Sequence, residues 1–288
     1  AGLCESCLLL TGSTRGSGQS RRGGGMQDRS AAAEFEVPYG AIGANFGYAQ
    51  IATRYMYEYG VTPEQLAKIA VHQRDNACMN PDAIFYGEPI TVEDVLNSPV
   101  VVDPLHMLEI VMPVGGAAAL VVTSAERAKT LPNNPAYLLG AGEHCTHKSI
   151  TYAPSLTDTA IKVAADKAFE MSGVSRDRVG LASIYDCYTI TVLLSLEDAG
   201  FCAKGGGGEF VDAHDLRWNG DFPLNTHGGQ LSFGQPGIAG GMSHVTEAAR
   251  QIQGRAENRQ VKDLEFAFVN GNGGIMSEQV SLILSTNP

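Results

Sequence analysis

The chain has 288 residues, 44% hydrophobic and 18% charged, enough to bury a large core in one domain or two fused halves. Twenty basic against 31 acidic residues leave a net charge of −11, which disfavours a nucleic-acid binder, because such proteins need a basic face. No apolar run approaches the roughly 18 residues of a membrane span, no secretory signal opens the chain, and six irregularly spaced cysteines do not look like a disulfide framework. A cytoplasmic protein without a membrane span is the expectation.

The opening AGLCESCLLL lacks an initiating methionine and a basic flank, and reads as the inside of a larger fold. Cys4-x-x-Cys7 has no partner pair for zinc and reads as two buried free thiols. Cys7–Thr11 predicts a strand, and the glycine- and arginine-rich stretch Gly12–Ser30 a solvated loop. The apolar spacing over Ala41–Tyr59 predicts a helix stopped by Gly60. Thr62 then caps a second helix with Pro63 in its first turn, and Thr91 caps a short one to Leu96. The run Ala117–Thr123, AAALVVT, reads as a buried central strand. Pro132–Pro135 reads as a linker and marks the principal boundary.

Beyond it the alternation is clearer. Strand Tyr137–Gly140, helix Thr157–Ser172 ended by Gly173, strand Val179–Ile184 and helix Thr189–Ala199 ended by Gly200 follow in turn. Gly205–Gly208 reads as a flexible loop. The stretch Asn225–Gly241 holds six glycines and leads into a helix carrying Met242, Val245, Ala248, Ala249 and Ile252. Strand Glu265–Val269, a Gly-Asn-Gly-Gly turn and strand Gln279–Leu284 end the chain. Strands alternating with helices imply an α/β sheet covered on both faces.

In such folds, sites form at loops beyond the carboxyl ends of strands. Three loops qualify: Tyr185–Thr189, Asn225–Gly241 and Asn270–Gly274. In the first, Asp186 can cap the following helix and Cys187 can be a small buried hydrophobe. The functional reading has the helix N-terminus favour the Cys187 thiolate, as base or nucleophile. In the second, His227 and Gln235 are the polar side chains able to touch a ligand, and backbone amides can approach one closely. No spacing among the seven histidines makes a metal site, and His144-x-x-His147 reads as polar surface.

These loops, in this order, resemble the thiolase superfamily, and most its sterol-carrier-protein-x and lipid-transfer-protein branch. Tyr185-Asp186-Cys187-Tyr188 stands where that branch has His-Asp-Cys-Phe, followed by a similar helix, TITVLLSLEDAGFC. Asn225-Thr-His-Gly-Gly and Gly234-Gln235-Pro236 match its Asn-Thr-x-Gly-Gly and Gly-His-Pro, and Asn270-Gly-Asn-Gly-Gly its terminal Cys-x-Gly region. The segments AGLCE, PYGAIGANFGYAQIATRYM and GGAAALVVTSAERA extend the similarity over nearly the whole chain.

The resemblance implies a thiolase-like α/β fold of two βαβαβαββ halves with mixed sheets covered by helices. Residues 1–132 would be the remainder of the first half, with a loop region over about 12–105, and 133–288 the second. It implies a homodimer acting on acyl-CoA thioesters, with coenzyme A as part of the substrate and no tightly bound cofactor or metal. The family's nucleophilic cysteine lies upstream of the segment matching AGLCE. The activating histidine is replaced by Gln235, Asn270 stands where many thiolases keep their second cysteine, and Tyr185 replaces a histidine. Exchanging an imidazole for a phenol resembles the steroid side-chain-cleaving aldolases. Those perform retro-aldol cleavage with a small OB-fold, zinc-ribbon partner. The catalytic expectation is therefore Tyr185, Cys187 and Gln235. The substrate-binding expectation is Asp186, Tyr188, Asn225, His227, Gly228, Ser232, Gly234, Asn270 and Gly273. Two other readings stay open: acyl transfer using a cysteine outside this chain, and a degenerate lipid-binding or scaffolding subunit.

Overall fold

The computed structural model describes residues 4–13, 31–41 and 43–288. Most of the predicted loop Gly12–Ser30, with its arginines, lies outside them. In chain order the elements are β1 (Ser6–Ser13), α1 (Ala31–Phe35), α2 (Ala44–Tyr59), α3 (Pro63–Cys78), α4 (Val92–Asn97), β2 (Val100–Val102), β3 (Leu105–His106), β4 (Gly116–Thr123) and α5 (Ala125–Ala128). Then come β5 (Tyr137–Cys145), α6 (Ile161–Ser172), β6 (Val179–Ile184), α7 (Thr189–Asp198), α8 (Gly207–Ala213), α9 (Gly240–Ile252), β7 (Phe266–Gly273) and β8 (Glu278–Ser285).

Local chemistry sets several boundaries where the sequence puts them. Thr62 Oγ1 accepts from Gln65 N while the Gln65 side chain accepts from Thr62 N, closing both ends of a capping box ahead of Pro63. Gly60 and Gly173 end their helices in the left-handed conformation. The helix predicted from Thr157 begins instead at Ile161. Thr159 gives both its N–H and its hydroxyl to Asp198 Oδ2 at 2.7 Å, which holds the preceding residues in a turn.

The second half is built on a mixed sheet in the order β5-β8-β7-β6, antiparallel except for the parallel pair β6–β7. A further parallel bridge, Ala182 to Leu224, takes the place of a third strand, giving the order β-α-β-α-α-(bridge)-α-β-β, with α8 as an added helix. Alternate strand residues face opposite sides. Ala182, Ile184, Phe268 and Ile283 join the side chains of α6 and α7, whereas Leu181, Ala267 and Val269 meet Ala248 and Ile252 of α9. Helix α6 lies so close on β5 that a Cβ at Gly142 would sit 2.0 Å from Ala164 O. The larger cluster also draws in Tyr48, Ile51 and Tyr55 of α2 and Leu66 and Ile69 of α3. No helix among the described residues is long and apolar enough to cross a membrane.

The structure departs from three further expectations. The run Ala117–Thr123 does form a strand, but among the described residues β4 pairs with β1 alone, and Val121 and Val122 are 67% and 52% exposed. Apolar composition specifies the strand; burial needs cover on both faces, and on β4 Leu120 is the residue that packs toward α9. Cys4 and Cys7, at the start of this two-stranded sheet, are free but exposed. Gly205–Gly208 is not a flexible loop: Gly207 and Gly208 are buried in the first turn of α8, and Gly207 N donates to Glu197 Oε1 at 2.8 Å. A Cβ at Gly208 would stand 2.5 Å from Gln65, so these glycines serve close packing.

Candidate active site

Strand β6 runs buried to Ile184, and the chain turns through Tyr185–Tyr188 before α7 begins. Tyr185 N donates to Asn270 O of β7 at 3.0 Å, which ties the first loop to the third. Asp186 is fully buried. Its Oδ1 accepts from Gln230 N at 2.7 Å and its Oδ2 from Leu231 N at 3.4 Å, while His244 Nε2 of α9 stands 3.3 Å from Oδ1. A buried carboxylate needs such donors. Asp186 therefore does not cap α7, whose N-cap position is Tyr188 with no side-chain cap. It clamps the first loop to the second.

The second loop is held from beneath. Asn225, itself at a positive φ, accepts from Ile184 N at 2.7 Å and donates to Ile184 O at 2.8 Å, closing an amide clamp on the end of β6. Residues Gly229–Phe233 make one π-helical turn. At Gly229, where φ is +60°, a Cβ would lie 1.9 Å from Asp186 Oδ2, so only glycine lets the turn reach the carboxylate. Gly228 packs on Ala77 of α3 and Gly234 on Val114. Ser232 Oγ takes a hydrogen bond from the buried Arg74 at 3.0 Å. His227 is 3% exposed, with its ring 5.1 Å from that of Phe233 and 5.2 Å from that of His244. Burial drives its pKa well down, so the imidazole is neutral. Gln235 is half-buried, and its Nε2 donates to Tyr185 Oη at 3.5 Å and to Gly237 O at 3.3 Å.

The third segment is not the predicted turn. Asn270–Gly273 continue β7 in register with β8, and the reversal comes at residues 274–277. Asn270 is buried and donates to Val280 O at 3.3 Å, and Gly273 lies beside Glu278. Between them Asn272 donates to Tyr48 Oη at 2.8 Å and stands 4.0 Å from Cys187 Sγ. Tyr48 stacks on Tyr188 with ring centroids 4.2 Å apart, and the Tyr188 hydroxyl donates to Asn45 Oδ1.

The predicted catalytic residues thus meet: Tyr185 touches Gln235 and neighbours Cys187. Their protonation differs from the expectation. Burial, with the Asp186 charge beside it, pushes the Cys187 thiol up to about 12, so the helix N-terminus does not yield a thiolate. Burial and the adjacent thiol push the Tyr185 phenol up to about 12 as well, with the Gln235 hydrogen bond opposing. The cluster is a set of neutral donors. Among the described residues no group of three or more His, Cys, Asp or Glu could hold a metal ion. Tyr48, Asn272, Gln230 and His244 do not stand out in the sequence. Tyr48 follows a helical core pattern, and Asn272 sits in a glycine run that reads as a turn.

A phenol and a thiol on the turn after β6, backed by a glycine-rich loop and the glycine end of β7, over a mixed sheet with helices on both faces, define a thiolase-like α/β protein. The chain belongs to the thiolase-like family: residues 142–286 match the thiolase C-terminal domain-like family. It is 37% identical over 265 residues to a steroid side-chain-cleaving aldolase of Thermomonospora curvata, covering 90% of this chain and 67% of that one. It is 36% identical over 228 residues to an acetyl-CoA acetyltransferase of Methanothermobacter thermautotrophicus, covering 79% of this chain and 59% of that one. Among solved structures it superposes on an Ltp2-ChsH2(DUF35) aldolase with a TM-score of 0.88 and 33% identity, over 99% of this chain and 73% of that one. These matches place it in the sterol-carrier and lipid-transfer branch of the thiolases.

Proposed function

We propose that this chain carries the reacting side chains of a carbon–carbon lyase that cleaves a β-hydroxyacyl-CoA by a retro-aldol step. The observation that carries the reading is the pairing of Tyr185 with Gln235, beside a Cys187 thiol that burial keeps protonated. A thiolase needs a base at position 235 and a thiolate; an amide and a buried thiol supply hydrogen bonds instead. In the proposed step the Tyr185 phenol gives its own proton to Cα while its oxygen takes the β-hydroxyl proton, as the Cα–Cβ bond breaks. The electron pair of that bond passes through the thioester enolate into the new Cα–H bond, and the new carbonyl compound leaves. Tyr185 starts and ends as the phenol, so its protonation is unchanged over the cycle. Gln235 orients the phenol, and with backbone amides of the Asn225–Gly241 stretch it holds the thioester oxygen. Asp186, Tyr188, Asn225, His227, Gly228, Ser232, Gly234, Asn270 and Gly273 form the substrate-side wall and its support.

The relatives' names support a bulky, steroid-like acyl group and coenzyme A as the thiol portion. The pairing of Ltp2 with ChsH2(DUF35) in the solved aldolase supports a partner protein, and the small OB-fold, zinc-ribbon character of that partner and a homodimer belong to the same proposal. The proposal also takes residues 1–132 and 133–288 as the two thiolase-like halves and the cytoplasm as the location, consistent with six free cysteines. The deciding experiment compares turnover of a β-hydroxyacyl-CoA with thiolysis of a β-ketoacyl-CoA plus free CoA, with and without the co-expressed partner. Cleavage of the first supports the lyase. Efficient thiolysis alone favours acyl transfer, the reading to which the acetyltransferase relative points.

A further inference from the structure

We infer that Asn272 is a hydrogen-bond donor to the substrate's thioester oxygen, and that Gln279 holds its amide in the donating direction. The inference rests on the lyase reading and adds a contact to its site. Gln279 is fully buried in β8 and donates its Nε2 to Asn272 Oδ1 at 2.6 Å. That bond uses the acceptor of the Asn272 amide and turns its Nδ2, with two hydrogens, toward Tyr48 and Cys187. Tyr48 Oη takes one at 2.8 Å and donates onward to Gly274 O at 3.2 Å, so the chain of bonds runs in one direction. The other hydrogen faces Cys187 Sγ at 4.0 Å, a long contact to a weak acceptor that leaves its capacity largely unspent. Exposure says which groups a ligand meets. Cys187, Tyr188 and Tyr48 are buried, whereas Tyr185, Gln235 and Asn272 are half-buried. An oxygen entering beside Cys187 would find an N–H already aimed, the condition under which a donor stabilises developing enolate charge.

The test uses Asn272→Ala, Gln279→Glu and Gln279→Met in the full chain. Each is assayed for β-hydroxyacyl-CoA cleavage and β-ketoacyl-CoA thiolysis, and for calorimetric binding of a short saturated acyl-CoA, which keeps the thioester carbonyl. We expect Asn272→Ala to lower kcat by about 100-fold and to weaken saturated acyl-CoA binding by about 10-fold. Gln279→Glu should reproduce that loss, because its carboxylate claims the amide hydrogens and turns Oδ1 toward the thiol. Gln279→Met, which frees the amide without reversing it, should lose less. A purely structural role would lower thermal stability in all three without this order. Wild-type turnover and affinity in Asn272→Ala overturn the inference, and so does a loss accounted for by the unfolded fraction alone. If the wild type cleaves neither substrate yet Asn272→Ala still weakens acyl-CoA binding, the lyase reading falls and the contact stands.

Discussion

Removing one oxygen from the site, by Tyr185→Phe, tests the chemistry with the least disturbance, because the ring keeps its place beside Gly241. The expected outcome is a fall in kcat of about 10²–10⁴-fold, typical of a lost proton-transfer group, with KM for the acyl-CoA little changed. The raised phenol pKa adds a pH signature. A phenol with a pKa of about 12 stays protonated well above neutrality, so a relay that starts and ends as the phenol gives a flat kcat between pH 7 and 10. If the phenolate were the working base, log kcat would instead rise with unit slope toward 12, and a pH–rate profile separates the two. At this scale the sequence is informative about candidate reactive residues and silent about their state. Tyr185, Cys187 and Gln235 stand out because their residue types depart from a motif. Whether the thiol ionises depends on burial, which the one-dimensional pattern does not carry. Asn272 is hidden because its neighbours are glycines, and its partners Tyr48 and Gln279 are 224 and 7 residues away along the chain.

Among the elements, the clamps at Asp186 and Asn225 hold the first two loops as one body, and the Tyr185 N–Asn270 O bond ties them to β7. Asp186→Ala would strand the Gln230 and Leu231 N–H groups in a dry interior and remove one of the partners of His244. We expect a loss of about 2–6 kcal/mol, read by chemical denaturation, at roughly 1–3 kcal/mol for each of the two buried unsatisfied donors. Asp186→Asn, which keeps one acceptor oxygen, should lose less. The β5–α6 contact makes a second prediction. Gly142→Ala places a methyl against the Ala164 carbonyl, with backbone and not a flexible side chain in its path, and should cost about 1–3 kcal/mol, visible as a lower thermal midpoint. Element boundaries set by short-range chemistry, such as the Thr62–Gln65 capping box, are legible in the sequence. The late start of α6 is not, because it depends on Thr159 reaching Asp198, 39 residues on.

For the whole molecule, the sheet β1–β4 is where composition misleads. Leu8 and Val121 are cross-strand partners, 64% and 67% exposed, and Leu10 extends the same apolar face. Such a face favours association. The chain should form higher-mass species by light scattering, and the pair Leu8→Lys with Val121→Glu should reduce them while keeping an attractive cross-strand contact. Unchanged mass in the double variant would locate the association elsewhere. The α/β order is readable because it rests on local periodicity, and the cover on each face is not. Tyr185, Gln235 and Asn272 of the site are only half-buried, at the edge of the core, and the residues that hold the loops, Asp186 and Asn225, are wholly buried. On the proposed function, holding and reacting are therefore divided between different side chains. Such a socket tolerates new tips: a lineage, or an engineer, can exchange the reaction by substituting at two or three half-buried positions without rebuilding the frame.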